Sequence, residues 1–226
     1  MEVSSKCAIA IMAKAPEPGE VKTRLCPPLS LDEAARLYRC FLLDKIDQVK
    51  ALKVGAPAIA YTPDHARALF AALVTPNFRL IPQEGPDLGA RILNTLNRLI
   101  DFGHSGAVAV GSDTPTLPLA YLETAVSLLA APAIDVVLGP SQDGGYYLIG
   151  LRKLHPELFE QMQWSTAEVF SETMRRARAK GLRVACLPPW YDVDTPEDLR
   201  RLKETLRLNA TSDARQTKRL LMEWQQ

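Results

Sequence analysis

Apolar and polar positions along this chain follow two alternating rhythms. Apolar runs of strand length occur at residues 7–12 (CAIAIM), 57–61, 78–81, 107–110, 136–138, 146–149 and 183–187. Short continuous runs bounded by turn residues read as buried strands. Stripes at helical spacing lie between most of them. Ser30 and Glu33 form a capping box, in which hydroxyl and carboxylate serve opposite orphan N–H groups. Ala34, Leu37, Tyr38, Phe41, Leu42, Ile46 and Val49 recur behind it on one face. Thr62 caps a second helix, with Pro63 at its first position, reaching about Val74. Residues 88–100 place Ile92, Leu93, Leu96 and Leu99 on one face, and residues 117–129 form the next helix. Ser165 and Glu168 repeat the capping box, and that helix stops at Gly181. Thr195 and Pro196 open a helix to about Leu208.

This alternation is too regular for a bundle or a sandwich. It predicts an α/β chain with a mainly parallel, helix-covered sheet, forming a single domain over residues 1–208. The gap between residues 136–138 and 146–149 leaves no room for a crossover helix. Those two strands are antiparallel neighbours or a local excursion. Residues 209–226 begin polar and end as an amphipathic helical tail. Its Leu220, Leu221 and Trp224 dock on the body or on another subunit, so a homodimer through the tail is an expected partner arrangement.

Composition narrows the classes. The 226 residues are 47% hydrophobic and 23% charged, enough apolar surface to offset the entropy of ordering. Lys and Arg number 27 against 26 Asp and Glu, a net charge of +1. That balance argues against a broad nucleic-acid surface or a polybasic membrane anchor. No apolar run reaches membrane-spanning length, and the N-terminal CAIAIMA is too short, and wrongly flanked, for a signal peptide. Cys7, Cys26, Cys40 and Cys186 are widely spaced, with no CxxC pair and no histidine at zinc-finger spacing. They read as reduced thiols of a cytoplasmic protein. His65, His104 and His155 lie in no nucleophile setting, and GxSxG is absent, which argues against a triad hydrolase.

Ligands of open α/β sheets bind outside the carboxyl ends of the strands, so the loops there are the places to search. Four are unusual. Residues 14–25, KAPEPGEVKTRL, make a stiff turn through Pro16, Pro18 and Gly19 and then carry Lys22 and Arg24. Backbone N–H groups with Lys14, Lys22 and Arg24 suit a polyphosphate, although neither GxxxxGK[ST] nor GxGxxG is present. Asp113 follows the AVAV run, where a carboxylate suits Mg²⁺ or Mn²⁺; a turn-capping role is the other reading. Asp143, Gly144 and Gly145 make either a hairpin turn or a close approach to a ligand, with Asp143 facing acceptor hydroxyls. In YDVDTPEDL, Asp192 and Asp194 share one side of an extended segment. Asp194 is the candidate second metal ligand, and Asp198 serves the start of the helix.

Six segments occur in order: KAPEPGEVKTRL, GPDLGARI, GSDTPTLP, DGGYYLIGL, WSTAEVFSET and DVDTPEDL. Together they resemble the bacterial glycosyltransferase-like family associated with radical-SAM and arsenosugar genes, over nearly the whole chain to about Leu208. A more distant likeness is to nucleotidyltransferases of the 2-phospholactate guanylyltransferase kind. The resemblance implies a Rossmann-like GT-A (nucleotide-diphospho-sugar transferase) fold of three layers with a mainly parallel mixed sheet. It implies that Lys22 and Arg24, with Lys14, Gly19, Gly89, Arg91, Gly144 and Gly145, hold the nucleotide. It also implies that Asp113 and Asp194 bind Mg²⁺ or Mn²⁺, with Asp113, Lys22 and Asp143 as the catalytic set. The first loop lacks the GGxGxR pattern of sugar-nucleotide pyrophosphorylases, and the Asp113 motif has one acidic residue where many glycosyltransferases have DxD.

The expectation is therefore a cytoplasmic, metal-dependent transferase. Its partners are a nucleotide-sugar or nucleoside triphosphate and a small-molecule acceptor, with no nucleic acid and no membrane. Glycosyl transfer comes first, nucleotidyl transfer with pyrophosphate release second, and a non-catalytic nucleotide-binding module third.

Overall fold

The computed structural model describes residues 7–208 and 214–224. Seven strands form one sheet: β1 (Ala8–Lys14), β2 (Ala56–Thr62), β3 (Arg79–Pro82), β4 (Ala107–Gly111), β5 (Val136–Pro140), β6 (Tyr146–Leu151) and β7 (Val184–Cys186). The helices are α1 (Leu31–Ala51), α2 (Arg67–Leu73), α3 (Leu88–Asp101), α4 (Leu119–Ala130), α5 (Val169–Ala179), α6 (Pro196–Leu208) and α7 (Arg215–Glu223). The strand order is β3-β2-β1-β4-β6-β5-β7. Only β6 runs antiparallel to its neighbours, β4 and β5; the other pairings are parallel. Of the two arrangements the short gap left open, the antiparallel pair is the one formed, as the hairpin of β5 and β6.

Both faces of the sheet are buried, and the strand period sorts the side chains between them. Ile9, Ile11, Val108 and Val110 pack with α1 and α4 residues such as Leu42, Ile46 and Leu122. Ala8, Ala10, Ala107 and Ala109 face the other way, against Ile92, Leu96 and Leu99 of α3. This makes three layers, the Rossmann-like arrangement of nucleotide-diphospho-sugar transferases. A third cluster covers the outer side of α1: Leu37 and Phe41 meet Leu202 and Leu206 of α6 and Leu220 and Leu221 of α7. The amphipathic tail thus docks on its own chain. Asp44 anchors it, accepting from Gln216 N, Thr217 N and Thr217 Oγ1 at 2.6–2.9 Å. The remainder of the predicted tail, residues 209–213 and 225–226, lies outside the described residues.

The Ser30–Glu33 capping box is present in full. The second box is not. Ser165 takes a left-handed backbone (φ 64) and α5 starts at Val169 behind Glu168, without a side-chain cap. The reason is tertiary: Phe170 N donates to Gly144 O at 2.9 Å, so the start of α5 is set by the β5–β6 turn. Thr62 is likewise no cap. It is the last residue of β2, Ala15 N donates to its carbonyl, and a 3₁₀ turn (Asp64–Ala66) precedes α2. The sheet ladder outcompetes the local capping signal there. The four cysteines are free thiols, Cys7 buried and Cys186 exposed. Among the described residues no helix is long and apolar enough to cross a membrane.

At the sheet edge away from the β1 and β4 carboxyl ends, Asp135 clamps β7. It accepts from Arg183 N at 3.0 Å and from Arg183 Nε and Nη2 at 2.8 and 2.9 Å, with Arg152 adding a longer contact. The Arg183 guanidinium, above all, holds the Asp135 carboxyl well below the usual carboxylate range. A depressed folded-state pKa contributes stability above the unfolded value of about 4, lost as pH falls through it. Asp135→Asn is therefore expected to lower the thermal midpoint at pH 7. The gap to the unmodified protein should close as the pH drops below about 4. A gap that stays constant from neutral to acidic pH would refute the clamp.

Candidate active site

The strand order reverses at β1, which has β2 on one side and β4 on the other. The crevice at such a switch point lies outside the carboxyl ends of the two strands. Tyr38 of α1 ties these ends together: Lys14 N donates to its Oη at 3.0 Å, and Oη lies 2.9 Å from Ser112 Oγ. Burial, and then the charge of Asp113, push the Tyr38 phenol up to about 12. Below it, two fully or nearly buried polar residues of α1 hold the loop after β4. Lys45 Nζ donates to Thr114 O at 2.9 Å, and Gln48 Nε2 donates to Pro115 O and Leu117 O at 3.1 and 3.0 Å. Thr114 O also accepts from Leu117 N at 3.2 Å, so the loop after β4 is held from within and from α1. The signal for this was a polar pair inside the apolar stripe of α1.

Lys22 is the centre of the site. It takes a left-handed backbone (φ 51) before a 3₁₀ turn (Thr23–Leu25), which turns its side chain inward. Its Nζ lies 2.9 Å from Asp113 Oδ1 and 2.6 Å from Asp194 Oδ1. The lysine side chain is 4% exposed, whereas the carboxylates are 37% and 36% exposed. Burial works against the ammonium, but the two carboxylates outweigh it and hold Lys22 above the ordinary lysine range. The carboxylates come from segments far apart in the chain, joined by Val193 N donating to Asp113 O at 3.0 Å. Asp198 fixes the second segment, accepting from Asp194 N, Thr195 N and Thr195 Oγ1. That is the helix-start role read from its sequence.

Two cavities meet here. One of about 320 Å³ is lined by Lys14, Lys22, Gln83, Arg91, Asp113 and Asp194. Lys14 pairs with Glu20 at 2.7 Å in the exposed turn, and Arg91 Nε donates to Gly85 O at 3.1 Å. The other, about 410 Å³, is lined by Arg24, Asp143, Tyr146, Trp164, Ser165 and Asp192, among others. Leu88 and Asp194 belong to both. Lys22 and Arg24, read together from sequence as a phosphate pair, face different cavities. Asp192 accepts from Ser141 Oγ at 2.5 Å. Burial raises it to about 7, with Asp113, Asp143 and Asp194 adding to the rise against the serine hydrogen bond.

The predicted glycines have mostly structural reasons. A Cβ on Gly144, at φ +90, would lie 2.2 Å from Ala167 O, and one on Gly89 would lie 2.3 Å from the Trp164 ring. Gly19 (φ +80) serves the turn, and only Gly145 of this set lines the larger cavity. Sequence reasoning had no signal for Trp164 over Gly89, or for Tyr38 and Gln83 at the crevice. The two carboxylate oxygens that converge on the Lys22 ammonium define a cation position. This donor set fits Mg²⁺ or Mn²⁺ arriving with phosphates, since such ions need only one or two protein carboxylates. Among the described residues no group of three or more His, Cys, Asp or Glu forms a metal cage by itself.

A mixed seven-stranded sheet with the crevice at its switch point defines the nucleotide-diphospho-sugar transferase-like class of Rossmann folds. The structure is similar to that of a provisionally named nucleotide-diphospho-sugar transferase from Desulfovibrio desulfuricans G20. The two share 36% identity over 97% of this chain and 95% of that one, with a TM-score of 0.89. The chain belongs to the family described as "Uncharacterized protein conserved in bacteria (DUF2064)", whose profile matches residues 45–166. More distant likenesses share the fold. A cytidylyltransferase from Leptospira borgpetersenii has 15% identity over 96% of this chain and 94% of that one, with a TM-score of 0.55. A 4-diphosphocytidyl-2C-methyl-D-erythritol synthase from Anaerococcus prevotii has 11% identity over 89% and 97%, with a TM-score of 0.58. No curated protein matches this chain.

Proposed function

We propose that the protein is a divalent-metal-dependent transferase with a nucleoside-phosphate donor, and that it transfers a glycosyl group from a nucleotide-diphospho-sugar. The observation that carries this reading is the buried Lys22 ammonium between Asp113 and Asp194 at the switch-point crevice. The similar Desulfovibrio structure, itself named for that chemistry, supports it. Lys22 and Arg91 neutralise charge on the leaving diphosphate, and Lys14 extends the cationic wall. Asp113 and Asp194 would hold the metal, which supplies Lewis-acid charge to the donor phosphates. The cationic crevice also favours a second reading: attack on the α-phosphate of a nucleoside triphosphate, with pyrophosphate leaving.

Asp113→Asn and Asp194→Asn are each expected to weaken Mg²⁺-dependent nucleotide binding by roughly 10- to 100-fold, as loss of a charge-assisted contact does. Titration calorimetry with nucleoside diphosphates reads this, and unchanged affinity in both variants would sink the shared metal site. Product analysis separates the chemistries. Slow release of nucleoside diphosphate from a sugar nucleotide, with water as acceptor, supports glycosyl transfer. Pyrophosphate release from a triphosphate, without sugar-nucleotide turnover, promotes the second reading.

A further inference from the structure

We propose that the cavity of about 410 Å³ beside the Lys22 crevice is the acceptor subsite, and that it takes an uncharged, hydroxyl-rich molecule of the sugar or polyol class. The inference rests on the reading that the neighbouring crevice holds the nucleoside-phosphate donor. Leu88 and Asp194 border both spaces, so an acceptor seated here reaches the donor's reacting end.

One wall is apolar and rigidly built. Trp164 stands edge-on to Tyr146, ring centres 6.3 Å apart, and sits so close over Gly89 that a Cβ there would strike its ring. Leu88 continues that wall and is 47% exposed, an uncovered apolar side chain at a crevice. Aromatic and aliphatic surface of this kind covers the C–H face of a sugar ring. Tyr146 Oη and Trp164 Nε1 are buried, with no hydrogen-bond partner in the protein. Both atoms are enclosed by the protein, Trp164 Nε1 against Gly89, so the two side chains offer the cavity their apolar surface.

The charged part of the lining is mostly acidic: Asp143, Asp192 and Asp194 with one guanidinium, Arg24. A phosphorylated acceptor would meet the exposed Asp143 carboxylate there, and like charges at close quarters are costly. Hydroxyl donors suit the same lining. Asp143 is exposed and uses Oδ1 to accept from Gly145 N at 2.9 Å, which orients its other oxygen for a ligand. In the transfer, an acceptor hydroxyl oxygen bonds to the anomeric carbon of the donor sugar. The bond from that carbon to the phosphate oxygen breaks, the nucleoside diphosphate leaves with the electron pair, and the hydroxyl proton passes to the Asp143 carboxylate.

The test is saturation-transfer NMR on the full chain with Mg²⁺ and a nucleoside diphosphate, using methyl α-glucoside and glucose 6-phosphate as probes. Methyl α-glucoside is expected to bind and glucose 6-phosphate not. Trp164→Ala should weaken the neutral probe by roughly five- to tenfold. Asp143→Asn, on an exposed turn where the amide oxygen can keep the Gly145 contact, should move the two probes in opposite directions: the neutral one weaker, the phosphorylated one stronger. Preference of the unmodified protein for glucose 6-phosphate would overturn the proposal. So would absence of neutral-probe binding at tens of millimolar while nucleotide binds. If nucleotide binding itself is missing but the neutral probe binds in a Trp164-dependent way, the donor reading fails and the sugar subsite stands.

Discussion

Lys22→Ala is expected to shift two affinities in opposite directions. The ammonium now sits on the point where the Asp113 and Asp194 oxygens converge, 2.9 and 2.6 Å away. Removing it frees two carboxylates that repel each other and attract any cation. Affinity for Mn²⁺ without nucleotide should therefore rise by about tenfold or more, read as free Mn²⁺ by electron paramagnetic resonance. Nucleoside diphosphate affinity should fall by roughly 10- to 100-fold, because a charge-assisted phosphate contact is lost. In metal-free buffer the variant should also lose about 1–3 kcal/mol of stability. That is less than the ~3–5 kcal/mol for breaking a fully buried pair, because both carboxylates are about a third exposed. Added Mn²⁺ should restore it. A metal affinity that stays level or drops with Lys22→Ala would mean that the ammonium does not hold the cation position.

Gly144→Ala is expected to be the most destabilising single methyl addition in the molecule. The backbone there lies at φ +90, and the new Cβ would overlap Ala167 O at 2.2 Å and Ala167 Cα at 2.5 Å. Both neighbours are backbone, so no side chain can swing aside. Strain at a disfavoured φ costs ~1–3 kcal/mol and overpacking a similar amount, so a loss of about 3–5 kcal/mol follows. For a domain whose whole stability is of order 5–15 kcal/mol, chemical denaturation should show this plainly. The comparison is Gly103→Ala, at φ +91 but with open space around it, which should cost only the backbone strain. Equal losses in the two variants would rule out the contact between Gly144 and the 165–167 segment.

Much of this fold was legible in the order of residues. Helix and strand signals are local, and seven apolar runs separated by helical stripes specify an α/β sheet with little ambiguity. Ser30 with Glu33, and Thr195 with Asp198, cap helices as read, because each satisfies backbone groups within its own turn. Chain length alone excluded a crossover helix between β5 and β6 and left an antiparallel pair or a local excursion; the sheet makes them an antiparallel pair. Local signals failed where a distant partner made the stronger claim on the same backbone. Ser165 lost its capping role to the contact between Phe170 and Gly144, and Thr62 was drawn into β2.

The candidate site divides along the same line. Residue chemistry named Lys22, Arg24, Asp113, Asp143 and Asp194, because ligands of an open α/β sheet bind at the loops after its strands, where these charged groups lie. Which of them face one another is a property of the crossovers. The sheet order sets β1 beside β4, and a single backbone hydrogen bond from Val193 to Asp113 brings the second aspartate alongside the first. That placement seats Lys22 between two carboxylates and leaves Arg24 across the second cavity. The Trp164 wall and the Lys45–Gln48 support arise the same way, from elements far apart in the chain. A sequence states the kinds of groups available; the packing of buried elements decides which groups share a dielectric environment, and hence their charge and reach.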